Sequence, residues 1–76
     1  MKAVDIRIEL LRRGYSNRKV AKALRLADTT VSNVISGNGK SRRVAQKIAS
    51  ITGIPVSRLW PGSYPQLELA ELRKVA

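Results

Sequence analysis

A chain of 76 residues with neither cysteine nor histidine can hold itself together in only one way, by aliphatic packing. Disulfides and thiolate-bound metals are excluded, and so is the commonest general base and metal ligand. A chain this short buries only about 60% of its unfolded surface, so it forms one small domain with a limited core. Its hydrophobic content of 43% suffices for that core. No stretch approaches the roughly 18 apolar residues of a membrane span, and Met1-Lys2-Ala3-Val4-Asp5 lacks the apolar run of a signal peptide. The chain is therefore expected in a reducing cytoplasm, bacterial or phage-infected, with no metal, cofactor or membrane partner.

Apolar periodicity then predicts an all-α fold of helical segments joined by short turns. The first has Val4, Ile8 and Leu11 at helical spacing, flanked by Ile6 and Leu10, and Gly14 ends it. Ser16 caps a second segment with Val20, Ala21 and Leu24 inward. A third turns Val31, Val34 and Ile35 to one side before Gly37-Asn38-Gly39 stops it. Ser41 caps a fourth, with Val44, Ala45, Ile48, Ala49 and Ile51 inward and Gly53 at its end. Pro55 opens a short fifth with Val56, Leu59 and Trp60, and Pro65 to Ala76 reads as a weakly amphipathic sixth. The boundary falls at Pro61-Gly62-Ser63-Tyr64-Pro65, giving a domain over residues 1–63 and a helical tail over 64–76. The expected core joins Val20, Ala21, Leu24, Val31, Val34, Val44, Ile48, Leu59 and Trp60.

Charge is distributed unevenly. Fifteen Lys and Arg against five Asp and Glu give a formal charge of +10. Between Arg12 and Lys47 lie Arg13, Arg18, Lys19, Lys22, Arg25, Lys40, Arg42 and Arg43, and the only acid is Asp28. In the tail, Glu68 and Glu71 balance Arg73 and Lys74. A basic middle with a neutral end points to a polyanion contacted by one region.

The stretch from Ser16 to Gly37, SNRKVAKALRLADTTVSNVISG, carries the functional signal. Two short helices meeting at a sharp angle need a small residue at the crossing and apolar residues in the wedge. Ala21 supplies the first; Val20, Leu24, Leu26, Val31 and Val34 supply the second. This is helix-turn-helix spacing, in which the second helix enters the major groove. Arg25 departs from the pattern by standing where the turn favours a left-handed glycine, at a cost of about 1 kcal/mol.

Candidate contacts follow from 100° per residue along the second helix. With Val31, Val34 and Ile35 inward, Thr29, Asn33 and Ser36 lie opposite, flanked by Thr30 and Ser32, with Asp28 at the N-terminal end. Asn pairs with adenine N6 and N7, Thr meets the thymine methyl, and Asp accepts from cytosine N4. Asp28, Thr29, Thr30, Asn33 and Ser36 are the candidate base readers, although Asp28 and Thr29 equally suit helix capping. Ser16, Asn17, Arg18, Ser32, Lys40, Ser41, Arg42 and Arg43 are the candidate phosphate contacts, the first three and the last four at helix N-termini. Trp60 and Tyr64 are assigned to core packing before base stacking. The tail residues Leu67, Ala70 and Leu72 pack either on the core or on a second subunit, and a homodimer on double-stranded DNA is the default expectation.

Ala27-Asp28-Thr29-Thr30-Val31-Ser32-Asn33-Val34-Ile35, followed by Leu59-Trp60-Pro61-Gly62-Ser63-Tyr64, resembles the Ner family of small repressors from transposable Mu-like phages. The likeness runs from about Asp5 to Tyr64; Arg25 and the tail depart from it. It implies a fold like that of lambda repressor and Cro, operator binding and negative regulation of early phage genes. Five scattered acids and no phosphate-cradling loop supply no catalytic set, so an enzyme is not expected. An antitoxin-like interaction module that also binds DNA is the alternative. Single-stranded RNA binding fits poorly with three aromatic residues.

Overall fold

A computed structural model describes residues 1–75, with side chains through Arg73. Six helices follow one another: α1 (Ala3–Arg12), α2 (Asn17–Leu24), α3 (Asp28–Ser36), α4 (Arg42–Thr52), α5 (Val56–Leu59) and α6 (Pro65–Val75). The fold is all-α, with no strand among the described residues.

The helix ends are set by local chemistry. Ser16 Oγ accepts the Lys19 N–H at 3.1 Å and Ser41 Oγ accepts the Val44 N–H at 3.4 Å, each relieving an orphan donor of a first turn. Three helices close on the same pair of backbone bonds, in which a residue in the left-handed region lets two N–H groups turn back. These bonds run from Gly14 to the Leu11 carbonyl and Tyr15 to Leu10, from Arg25 to Lys22 and Leu26 to Ala21, and from Gly37 to Val34 and Asn38 to Asn33.

Ile6, Leu10, Val20, Ala21, Val31, Val34, Ile35, Val44, Ala45, Ile48, Val56, Leu59, Trp60 and Tyr64 form one buried cluster. Leu24 is half-buried at its edge, less enclosed than its helical spacing predicts. Trp60 and Tyr64 meet edge to face at 5.7 Å, and the indole N–H donates to the Ile35 carbonyl at 3.4 Å. The Tyr64 hydroxyl accepts the Ser41 N–H at 3.2 Å. Both aromatic rings are thus committed to the core, and buried Trp and Tyr with satisfied polar ends are ordinary packing.

The inward face of α1 requires correction. Ile6 and Leu10 are wholly buried, whereas Val4, Ile8 and Leu11 are 55%, 44% and 63% exposed. The helix carries two apolar stripes at helical spacing, and the core takes the one begun by Ala3. Asp5, Val4 and Leu11 are left on the solvent side.

Carboxylates fasten the last helix. Glu71 accepts the Val56 N–H at 2.5 Å and the Ser57 N–H at 3.4 Å, capping the start of α5, and Glu68 accepts the Gly62 N–H at 3.0 Å. Leu67 packs partly buried against the core, while Leu69, Ala70 and Leu72 remain exposed.

Candidate nucleic-acid interface

The pairing of α2 with α3 is the densest helix contact in the molecule. Val20 and Ala21 of α2 and Val31, Val34 and Ile35 of α3 are buried between them and α4, with Leu26 of the turn packed partly buried beneath. Arg25 adopts φ 58° and ψ 43° and is the one non-glycine residue with positive φ among the described residues. The side chain adds a cation to the turn between the two helices, at the position that Gly14 and Gly37 occupy in the other two closures.

The opposite face of α3 is polar and uncharged along most of its length. Asp28, Thr29, Asn33 and Ser36 are exposed, with Thr30 and Ser32 half-buried at its flanks. Ala27 stands at the N-cap and contributes no side-chain cap, so Asp28 enters the helix as its first-turn acid, where the dipole favours it. Among the described residues, two side-chain hydroxyls of α3 are engaged. Arg7 Nη2 donates to Ser32 Oγ at 3.4 Å, and Ser36 Oγ donates to the Asn33 carbonyl at 3.1 Å. The Asn38 and Gly39 N–H groups converge on that same carbonyl at 2.9 and 3.1 Å. The Asn33 main chain is thereby pinned from three directions while its carboxamide stays outside. A Cβ on Gly39 would lie 3.4 Å from the Asn33 Cβ, at van der Waals contact.

Cations border the face. Arg18 and Lys19 open α2, and Lys40, Arg42 and Arg43 surround the start of α4, all exposed; Ser16 and Ser41 are the caps of those helices, and Asn17 is half-buried at the first position of α2. The ion pairs among the described residues both involve Glu9, with Arg12 and Arg13 at 3.5 and 3.4 Å. The cations of α2, the turn and α4 therefore have no acid to neutralise them. Three are partly held. Lys19 lies 4.9 Å above the Tyr15 ring, Arg43 Nη2 donates to the Leu24 carbonyl at 3.3 Å, and Arg42 donates to Gln66 Oε1. Arg43 ties α4 to the end of α2 next to the Arg25 turn.

Periodicity alone did not disclose Arg7, Gln66 or the Tyr64 hydroxyl. Each acts across 23 to 25 residues of chain. A weak signal existed for Tyr64 alone, an aromatic residue with a polar tip placed just after Trp60. No group of acids capable of holding a metal occurs among the described residues, and none of their helices is long and apolar enough to cross a membrane.

Two helices wedged at a small-residue crossing, the second presenting a free polar face with unneutralised cations around it, define a DNA-binding helix-turn-helix protein. The chain belongs to the winged helix-turn-helix DNA-binding family, whose model matches residues 1–75. No curated protein and no solved structure gives a significant match. The connection after α3 is a Gly-Asn-Gly turn leading to α4 rather than a strand.

Proposed function

We propose that the protein is a sequence-specific transcriptional regulator, a repressor of the Ner-like phage type, that reads duplex DNA with α3 in the major groove. The observation that carries this reading is the exposed polar face of α3, uncharged beyond Asp28, between the cations of α2 and α4 that no acid among the described residues pairs. Neutral hydrogen-bonding side chains discriminate base edges, and cations and helix N-termini grip phosphates without regard to sequence. Thr29 and Asn33, one turn apart, reach adjacent base edges together, with Asp28, Thr30 and Ser36 around them. Ser16, Asn17 and Arg18 meet the backbone on one side; Lys40, Ser41, Arg42 and Arg43 meet it on the other, and Ser32 lies at the flank. The operator-bound form is a homodimer, because one helix-turn-helix covers only a short half-site. Its place of action is the cytoplasm.

Exposed Leu69 and Leu72 on α6 favour a second reading, an antitoxin-like module whose tail holds a partner protein. Selection of binding sites from random duplexes, followed by footprinting, separates the two. The repressor reading predicts an enriched motif protected in the major groove. A pool that stays random through selection contradicts it.

A further inference from the structure

Val4, Ile8 and Leu11 follow one another at intervals of four and three residues, which is the spacing of a two-helix seam. They occupy the side of α1 opposite the buried Ile6 and Leu10, and all three are exposed. The charges that border this stripe decide what it fits. Asp5 and Arg12 lie on one flank, one at each end, and Arg7 lies on the other. In a parallel pairing of two such helices, Arg7 of one copy faces Arg12 of the next, and like charges meet. In an antiparallel pairing about a two-fold axis, Asp5 of each copy faces Arg12 of the other, so the complementary pair occurs twice against a single Arg7–Arg7 approach on the opposite flank. Asp5 makes no ion pair among the described residues, and the Glu9 contact of Arg12 is an exposed one, 3.5 Å long, that leaves most of the guanidinium in water.

We infer that the outer face of α1 is the self-association surface of this protein, joining two copies through antiparallel α1 helices. The inference locates the dimer contact of the operator-binding reading and in that respect rests on it. The symmetry has a consequence for DNA. A two-fold axis perpendicular to both helices leaves each flank on its own side of the dimer. Arg7 reaches Ser32 of α3 at 3.4 Å, so α3 lies beside the Arg7 flank in each copy. Both recognition helices consequently emerge on one side of the assembly, as a single duplex requires. The tail exposes Leu69 and Leu72 as well, but Leu67 is packed on the core and Glu68 and Glu71 are bonded within the chain, which leaves it no free acidic side chain to pair with a second copy.

The contact is small. A ten-residue helix is about 15 Å long, and two of them cover less than the roughly 1,200 Å² of a stable interface. The association is therefore weak without DNA, with a dissociation constant on the order of 1 mM, and strengthens when a duplex holds both copies at high effective concentration.

Sedimentation equilibrium of the whole chain without DNA, up to about that concentration, tests this. Wild type is expected to dimerise reversibly, and Ile8→Glu to lower the association about tenfold or more, as loss of a central apolar anchor does. Asp5→Arg and Arg12→Asp are each expected to be monomeric alone and to dimerise when mixed, because only the mixed pair restores both opposite-charge contacts. Melting curves of these surface variants verify that they are folded. The inference is overturned if wild type stays monomeric, if Ile8→Glu associates like wild type, if Leu72→Glu abolishes association instead, or if the mixed charge variants associate no better than either alone. Affinity for an isolated half-site, measured in parallel, is expected to be the same in wild type and Ile8→Glu. Absence of half-site binding by wild type sinks the DNA-reading proposal and leaves the association result standing.

Discussion

Arg25 sits where two other helix ends of the same chain place glycine, with the same pair of returning hydrogen bonds and a φ of 58° beside 79° and 86°. The left-handed conformation costs an L-residue about 1 kcal/mol, so the turn carries a strained cation. Arg25→Gly is expected to raise unfolding stability by about 1 kcal/mol in denaturant melts and to weaken binding to every duplex, since it removes one cation from the turn before α3. A stability unchanged or lowered would mean that the Arg25 side chain contributes packing that outweighs its backbone strain. This residue was legible in the sequence, because a turn between two wedge-forming helices demands a positive φ wherever it falls. The caps Ser16, Ser41, Gly37 and Gly53 were legible for the same reason, each acting within a few residues of itself. Leu24 has the spacing of a core residue and is half-buried at the core's edge, because spacing gives a residue's direction and not the depth of its neighbours.

At the scale of the helix, α1 shows what periodicity leaves open. Two apolar stripes wind along it, and nothing local says which one meets the core. The contrast yields a paired prediction on two isoleucines of one helix. Ile6→Ala is expected to cost about 2–5 kcal/mol, as a fully buried side chain leaves a cavity, and Ile8→Ala to stay within about 0.5 kcal/mol. Chemical denaturation of both variants measures this, and equal losses would put the helix in the wrong rotation about its axis. Helices α2 to α5 were readable because each has one apolar face only, bounded by serine caps before α2 and α4, glycine after α3 and α4, and proline before α5. The attachment of α6 was not readable. Glu71 caps α5 from 15 residues away, and a carboxylate on a half-polar tail gives no sign of which backbone N–H groups it will meet. The polar face of α3 followed from the inward set of Val31, Val34 and Ile35, all of which are buried.

For the molecule as a whole, a formal charge of +10 against two ion pairs among the described residues leaves most of the positive field uncompensated. Affinity for DNA is accordingly expected to fall steeply with salt, each neutralised phosphate adding about 0.9 to the slope of log affinity against log salt. Arg42→Ala is expected to weaken selected and random duplexes alike and to reduce that slope by about one phosphate's worth. A change of base preference at one position with the slope intact would make Arg42 a base reader. If α3 reads sequence and its surroundings only hold the backbone, Asn33 carries the sharpest consequence. Alanine keeps the Cβ beside Gly39 and the carbonyl that closes α3, so the fold is preserved while the carboxamide is lost. The decisive measurement is the affinity of wild type and Asn33→Ala for the selected operator and for a scrambled duplex at one fixed salt concentration. Base reading by Asn33 predicts a loss of about 1–3 kcal/mol on the operator and almost none on the scrambled duplex. Equal losses on both would show that Asn33 positions the backbone, and would contradict base reading by this face of α3.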